Sequence, residues 1–259
     1  MSKLDLYLAV KQHHNLVAAK GYKCVMSVLI GSQNYGLDTE SSDIDTFTFV
    51  LPSLEDMAFA RTPVSGEFEV EDGKCMYKDI RLALNLLKKA SPNSVECFVG
   101  KYHYFEPEYF SILSKFLHNE EYMNYMVHCN YNHMLDACAG MAHQLTKRNM
   151  PAGKRYSHAI RLMDMVDIYL NSFDSRFLLE PLEMHLDEAR TAKRDTRESM
   201  DNYYNEGCEL IAQYLVGVRA KFVLTQYKEK IEQRGLELIE LLQKQLLLQY
   251  MKNEVVNGN

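Results

Sequence analysis

Two aspartates separated by one residue, Asp43 and Asp45, are the residues of this chain best placed to do chemistry. They open a segment, 43–50, that alternates in polarity and is rich in β-branched and aromatic residues, which predicts a strand. Alternate residues of a strand share one face, so the two carboxylates would lie side by side. Like charges this close need neutralisation, and a hard divalent cation with oxygen ligands provides it. The spacing therefore predicts a metal site for Mg²⁺ or Mn²⁺.

A glycine–serine turn precedes the aspartates. Gly31 and Ser32 follow an apolar run, 25–30, that predicts a buried strand. Glycines at positions 31 and 36 allow the backbone to approach a ligand closely. The Ser32 hydroxyl and nearby backbone N–H groups could hold a phosphate. We therefore expect a phosphate group to bind beside the metal.

The elements that must position these residues fall into two regions. Strands are predicted over 23–30 and 43–50, and a hairpin over 66–78 turns at Asp72-Gly73. Further predicted elements are helices at 4–19, after the cap residue Ser53, after the cap residue Asp79, and at 226–252. From about residue 106 onward the pattern is nearly all helical. The sequence predicts an α+β fold, with a small mixed-sheet catalytic domain (1–105) followed by an all-helical domain (106–259).

The order strand, Gly-Ser turn, and strand beginning Asp-x-Asp resembles the active site of the DNA polymerase β nucleotidyltransferase superfamily. The segment GSQNYGLDTESSDID, 31–45, is similar to the form found in a bacterial and phage branch linked to RNA repair. Segments 78–96 and 154–162 resemble that branch's Asp-Leu-Arg-Lys helix with its Asn-Pro…Glu segment, and its Lys-x-Tyr-x-x-x-x-Arg helix. The resemblance spans about residues 22–170. Gln33 and Leu82 depart from it, since relatives often carry arginine and lysine there.

The resemblance implies a nucleotidyltransferase that moves a nucleoside monophosphate from a triphosphate, such as ATP, to a hydroxyl and releases pyrophosphate. The two aspartates would hold two Mg²⁺ ions, with a third carboxylate completing the site of the catalytic ion. Gly31 and Ser32 would position the triphosphate. Lys154 and Arg161 match the cations of the later helix motif. With His158 they share one helix face, where they could hold the β- and γ-phosphates. A solvated cationic face is the alternative.

The superfamily usually places a third carboxylate on a later strand, where it binds metal and activates the attacking hydroxyl. The candidates here are Glu67, Glu69 and Glu71, which share one strand face, and Asp79. Asp79 matches the family's segment best and ranks first, with Glu69 second. An ordinary helix cap is the alternative role of Asp79, and a solvated hairpin face that of the glutamates.

The sequence leaves the acceptor open. Relatives in RNA repair imply an RNA or tRNA end. The formal net charge of −6, however, is unlike that of a general nucleic-acid binder. A protein side chain or a small molecule is therefore an alternative acceptor, and a non-catalytic nucleotide-binding module is a third hypothesis. The basic stretch 190–197 is interleaved with acidic residues, which favours a solvated helix face over a polynucleotide contact.

Six scattered cysteines without a Cys-x-x-Cys pair indicate reduced thiols. The chain shows neither a signal peptide nor ~18 consecutive apolar residues. We therefore expect a cytoplasmic protein of a bacterial or phage-infected cell, without a membrane partner. Leucines on several faces of residues 236–248 predict a helix that either lies inside the helical domain or forms an oligomer, and the first is favoured.

Overall fold

The computed structural model describes residues 3–40, 42–179 and 182–257. One mixed five-stranded sheet has the order β3-β4-β2-β1-β5, in which β2 and β4 are parallel and the other neighbours antiparallel. The strands are β1 (Lys23–Ile30), β2 (Ile44–Leu51), β3 (Ser65–Val70), β4 (Gly73–Asp79) and β5 (His103–Phe105). The helices are α1 (Lys3–Ala19), α2 (Leu54–Ala58), α3 (Ile80–Leu87), α4 (Pro92–Val99), α5 (Phe110–Leu117), α6 (Glu120–Val127), α7 (Tyr131–Leu145), α8 (Ala152–Asn171), α9 (Glu183–Arg194), α10 (Asp201–Lys221) and α11 (Gln226–Asn257).

The predicted α+β fold is confirmed, with small differences at the element ends. The second strand begins at Ile44, so Asp43 lies directly before it. The predicted hairpin is present as β3 and β4, but β3 ends at Val70, two residues before its predicted end, so the turn consists of Glu71 and Asp72. The short strand β5 was not predicted, because three residues are too few to show an alternating pattern.

Helices cover both faces of the sheet. Helix α1 packs against β1, β2 and β5, while α3 and α4 pack against β2 and β1. His13 on α1 is buried, and its Nδ1 lies 2.9 Å from the Thr46 hydroxyl, on the strand residue next to Asp45. Its Nε2 lies 2.9 Å from a carboxylate oxygen of Asp72, in the hairpin turn. These contacts fix the start of β2, where Asp43 and Asp45 lie.

Beyond Phe105, the described residues contain helices and short 3₁₀ turns but no strand. The buried apolar core is continuous, however, from Val25 in β1 to Tyr250 in α11. The division into domains at residue 105 therefore stays a prediction. No helix in the described ranges combines the length and the apolar character needed to cross a membrane.

The last helix, α11, packs against α3, α5 and α6. Its buried side chains are Ile231, Leu238, Ile239, Leu242, Leu246 and Tyr250. The ammonium of Lys88, after α3, donates to a carboxylate oxygen of Glu240 at 3.1 Å, and Lys23 pairs with Glu254. The helix thus has partners within the chain, from the sheet region as well as the helical region. Association with a second chain through its exposed side stays a prediction.

Candidate active site

The loop after β1 owes its shape to two glycines. Gly31 has φ of 88° and Gly36 has φ of 65°, in the left-handed region that favours glycine. Within the loop, the Asn34 N–H donates to the Gly31 carbonyl at 3.0 Å, and the Leu37 N–H donates to the Ser32 carbonyl at 3.1 Å. The backbone is therefore fixed by its own hydrogen bonds, and Gly31 and Ser32 line a cavity.

Two buried side chains anchor this loop from behind. The Asn34 amide donates to the Leu29 carbonyl at 2.5 Å, and its oxygen accepts from the Lys101 N–H at 3.2 Å. The carboxylate of Glu96, on α4, accepts from the Gly31 N–H at 2.5 Å. The loop is thereby held to the end of β1, to α4 and to the segment after it.

The aspartate pair faces the same cavity as the loop. Asp45 pairs with Ile30 of β1 and Lys74 of β4, while Asp43 is exposed just before the strand. Burial raises the pKa of Asp45, the charge of Asp43 raises it further, and the Lys74 backbone N–H and ammonium act against this. Two carboxylates that face one partly desolvated space repel each other, and the direction of the Asp45 pKa shift agrees with this.

This donor set fits Mg²⁺, which usually takes one or two carboxylates and fills its remaining positions with water and substrate phosphates. Within the described residues no group of three or more His, Cys, Asp or Glu side chains could hold a metal ion. The protein therefore offers an open carboxylate pair rather than a closed cage.

The cavity has a volume of about 630 Å³. It brings together most of the residues singled out from the sequence: Gly31, Ser32, Asp43, Asp45 and Lys154. Lys154 is exposed on the first turn of α8, across the cavity from the sheet. The later helix thus supplies a cation to the space in front of the carboxylates.

Of the three residues predicted to form a cationic face on α8, Lys154 and His158 line the cavity and Arg161 does not. His158 lines it, but burial, followed by the charges of Arg161 and Lys193, lowers its pKa to about 3. A neutral imidazole adds no positive charge to this cavity, and the role of this helix face in binding phosphates stays a prediction. Arg161 is buried and lies behind the loop, with its guanidinium 3.9 Å from the centre of the Tyr35 ring.

Arg161 and Glu96 are both buried under the glycine–serine loop. Burial raises the pKa of Glu96, and the charge of Arg161 is the largest influence in the opposite direction. The Nε and Nη1 atoms of Arg161 have no hydrogen-bond partner among the described residues. Arg161 contacts the loop through Tyr35 and Glu96 contacts it through Gly31, and neither residue lines this cavity. Glu96 was missed as a site residue, and its only signal was its position at the end of the family-like segment.

Asp79 does not lie with the aspartate pair, which corrects its ranking as the third carboxylate. It pairs with Val50, five residues along β2 from Asp45, which at ~3.3 Å per residue separates the two by roughly 16 Å. Its side chain accepts from the Arg81 N–H at 2.8 Å as a helix cap and receives the Arg81 guanidinium at 2.7 Å. Asp79 therefore makes the contacts of a helix cap, which is the alternative role given for it above.

Glu69 lies in the same row of the sheet as Asp45. It pairs with Lys74 of β4, which in turn pairs with Asp45. The Lys74 ammonium lies 3.3 Å from a Glu69 carboxylate oxygen and 3.1 Å from a Glu67 oxygen. The charge of Glu69 contributes to the raised pKa of Asp45. Glu69 is therefore a nearby carboxylate, separated from the pair by one lysine.

Helix α9 fastens the far end of the loop. Arg190 Nε donates to the Gly36 carbonyl at 2.8 Å, Lys193 Nζ to the Leu37 carbonyl at 2.6 Å, and Arg194 Nη2 approaches the Asp38 carbonyl at 3.5 Å. Three cationic side chains thus bind three successive backbone carbonyls. The solvated helix face expected for this stretch is instead a clamp on the active-site loop.

The sequence model of RlaP, the RNA repair pathway DNA polymerase beta family, matches residues 8–172. This range covers more than half of the chain and includes the sheet, the glycine–serine loop, both aspartates and α8. The chain belongs to this family. Membership confirms the resemblance noted from the sequence and indicates a polymerase β-like nucleotidyltransferase of RNA repair. No curated protein matches the chain. The clamp helix α9 and the long helix α11 lie outside the matched range.

Proposed function

We propose that this protein is a metal-dependent nucleotidyltransferase that transfers a nucleoside monophosphate from a triphosphate to the hydroxyl of an RNA or tRNA end. One observation carries this: a single cavity of about 630 Å³ holds the glycine–serine loop, both aspartates and Lys154. The loop suits a phosphate, the aspartates suit a metal ion and the lysine suits a polyphosphate. The family's link to RNA repair supports an RNA acceptor.

In this proposal the residues divide the work between substrate and metal. Asp43 and Asp45 would hold Mg²⁺ or Mn²⁺. When bound, the metal would lower the pKa of the attacking hydroxyl and offset the charge of the triphosphate. Gly31 and Ser32 would orient the triphosphate, and Lys154 would neutralise the leaving pyrophosphate. Arg161 would support the loop from behind.

Glu69 is our proposal for the third carboxylate. It lies one strand beyond Lys74 on the row of Asp45, so its backbone is roughly 10 Å away at ~4.8 Å per strand. At that distance it would take the acceptor proton through an intervening water rather than bind the metal closely. Glu69→Gln should lower transfer and leave triphosphate affinity unchanged, whereas Glu67→Gln should change neither. Equal activity of Glu69→Gln and wild type would remove Glu69 from the site.

The acceptor is tested by incubating the protein with labelled triphosphates, Mg²⁺ and a whole-cell lysate, then fractionating the label. We expect label in RNA, and none after chelation with EDTA. Label in protein or in a small metabolite would replace RNA as the acceptor but keep the transfer reaction. Nucleotide binding without label in any fraction would favour a non-catalytic module.

A further inference from the structure

A second cavity, of about 670 Å³, opens beside the first and shares Gly31 and Asp45 with it. Its lining is different in character. Phe47, Phe49 and Met76 form apolar walls, and the side chains of Lys78 and Arg148 add positive charge. Ser91, Asn93 and Ser94 supply polar groups at the start of α4. The active-site carboxylate Asp45 therefore lies at the junction of a polar cavity and an aromatic one.

The aromatic floor is part of the strand that carries the carboxylates. Asp45, Phe47 and Phe49 alternate along β2 and thus share one face of the sheet. The ring centres of Phe47 and Phe49 are 5.5 Å apart, and Phe49 stacks on Phe98 at 5.2 Å. Phe49 and Phe98 are buried, whereas Phe47 is only partly covered. A planar group resting on Phe47 would therefore lie about one residue pair, roughly 7 Å, from Asp45.

The geometry of nucleotidyl transfer indicates which substrate this cavity would bind. In nucleotidyl transfer the acceptor oxygen bonds to the α-phosphorus while the bond from that phosphorus to the pyrophosphate oxygen breaks. The hydroxyl proton goes to solvent through a nearby base, and the two oxygens lie on opposite sides of the phosphorus. The first cavity holds Lys154, which the proposed function assigns to the pyrophosphate. The acceptor must then approach from the opposite side.

We propose that the second cavity binds the 3′-terminal nucleoside of a single-stranded RNA acceptor, an inference that rests on the proposed function. The base would stack on Phe47, as unpaired bases do on aromatic side chains in proteins. Lys78, whose ammonium lies 5.2 Å from the centre of the Phe47 ring, and exposed Arg148 would contact the adjoining phosphodiester. A tyrosine side chain as acceptor would use the aromatic wall but would leave both cations without a phosphate.

Direct binding tests this without any transfer step. The probe is a short single-stranded RNA with 2-aminopurine at its 3′ end, whose fluorescence falls when the base stacks. It is titrated with the full-length protein without triphosphate, and triphosphate affinity with Mg²⁺ is measured separately. The variants are Met76→Trp, which fills the cavity, and Lys78→Ala, which removes one cation. The matched control is Lys89→Ala, because Lys89 is an exposed lysine that follows helix α3 and does not line the cavity.

We expect wild type to quench the probe, and Met76→Trp and Lys78→Ala each to weaken RNA binding by about 10-fold, the scale of one lost stack or phosphate contact. Triphosphate affinity should stay unchanged, and Lys89→Ala should match wild type in both assays.

Weaker triphosphate binding with unchanged RNA binding would assign the cavity to the triphosphate base and overturn the inference. A wild-type protein that binds triphosphate but does not quench the probe would also overturn this inference. The proposed nucleotidyl transfer would not be affected by that result. Quenching without triphosphate binding would instead overturn the proposed function and keep the cavity assignment. Lys78→Ala keeps the test decisive even if Met76→Trp fails to fold.

Discussion

Replacing Glu96 tests whether the buried carboxylate under the glycine–serine loop holds that loop. Glu96→Ala leaves the Gly31 N–H without its acceptor, and an unsatisfied buried donor costs about 1–3 kcal/mol. It also removes a negative charge that acts on the buried Arg161 guanidinium, which is 5% exposed. We therefore expect the free energy of unfolding to fall by about 1–3 kcal/mol. Glu96→Gln keeps an acceptor of similar shape and should lose less than Glu96→Ala.

Urea unfolding followed by circular dichroism measures these differences at neutral pH. Glu240→Ala is the control, since Glu240 is 67% exposed and its ion pair with Lys88 is worth at most ~1 kcal/mol. The folded Glu96→Gln variant should also bind triphosphate more weakly, because the Gly31 amide is less firmly placed. If Glu96→Ala were as stable as Glu240→Ala, the carboxylate would not anchor the loop and the reasoning would be refuted.

Gly31→Ala should cost about 1–2 kcal/mol of unfolding free energy, because its φ of 88° strains any residue with a Cβ. Gly217→Ala, in helix α10 with open space at its Cβ, should instead stabilise the fold, and denaturation of both variants checks the contrast. Burial lowers the pKa of His128 from 6.5 to about 4, so the unfolded chain takes up this proton first as the pH falls. The contribution of His128 to the unfolding free energy should therefore drop between pH 6.5 and 4 by up to ~1.4 kcal/mol per pH unit, and His128→Gln should reduce the overall slope by about that amount. An equally steep titration in the variant would contradict the assignment. Leu242→Ala, fully buried in α11, should lose about 2–5 kcal/mol. Leu248→Ala, 47% exposed, should stay within about 0.5 kcal/mol of wild type, and equal losses at both positions would show that α11 does not pack as described.

The parts of the site that the sequence predicts are those set by short-range patterns. Gly31 and Ser32 follow an apolar run, and Asp43 and Asp45 open an alternating one, so their elements and their proximity can be read locally. The local pattern also predicts that Lys154 lies on a helix. Only the family resemblance, however, indicated that this helix lies near the glycine–serine loop. The fold class followed from the change in pattern near residue 105.

The remaining parts depend on pairings that local patterns do not encode. The parallel register of β2 and β4 places Lys74 beside Asp45 and moves Asp79 to the far end, and no residue in β4 specifies that register by itself. Likewise, whether a helix cation faces solvent or a loop depends on what packs there. Arg161 therefore turned out to be buried, and Arg190 to bind a carbonyl 154 positions away in the chain.

The most direct test of the central claim is labelled nucleotide transfer to RNA by the double variant Asp43→Ala, Asp45→Ala. Both side chains face the cavity and neither supports the core, so the variant should keep the wild-type circular dichroism spectrum. Because Asp43 raises the pKa of Asp45, removing both charges should also leave stability equal to or slightly above that of wild type. Transfer should be abolished, and triphosphate binding should no longer tighten when Mg²⁺ or Mn²⁺ is added. Turnover like that of wild type in this folded variant would contradict a carboxylate-held metal as the basis of catalysis.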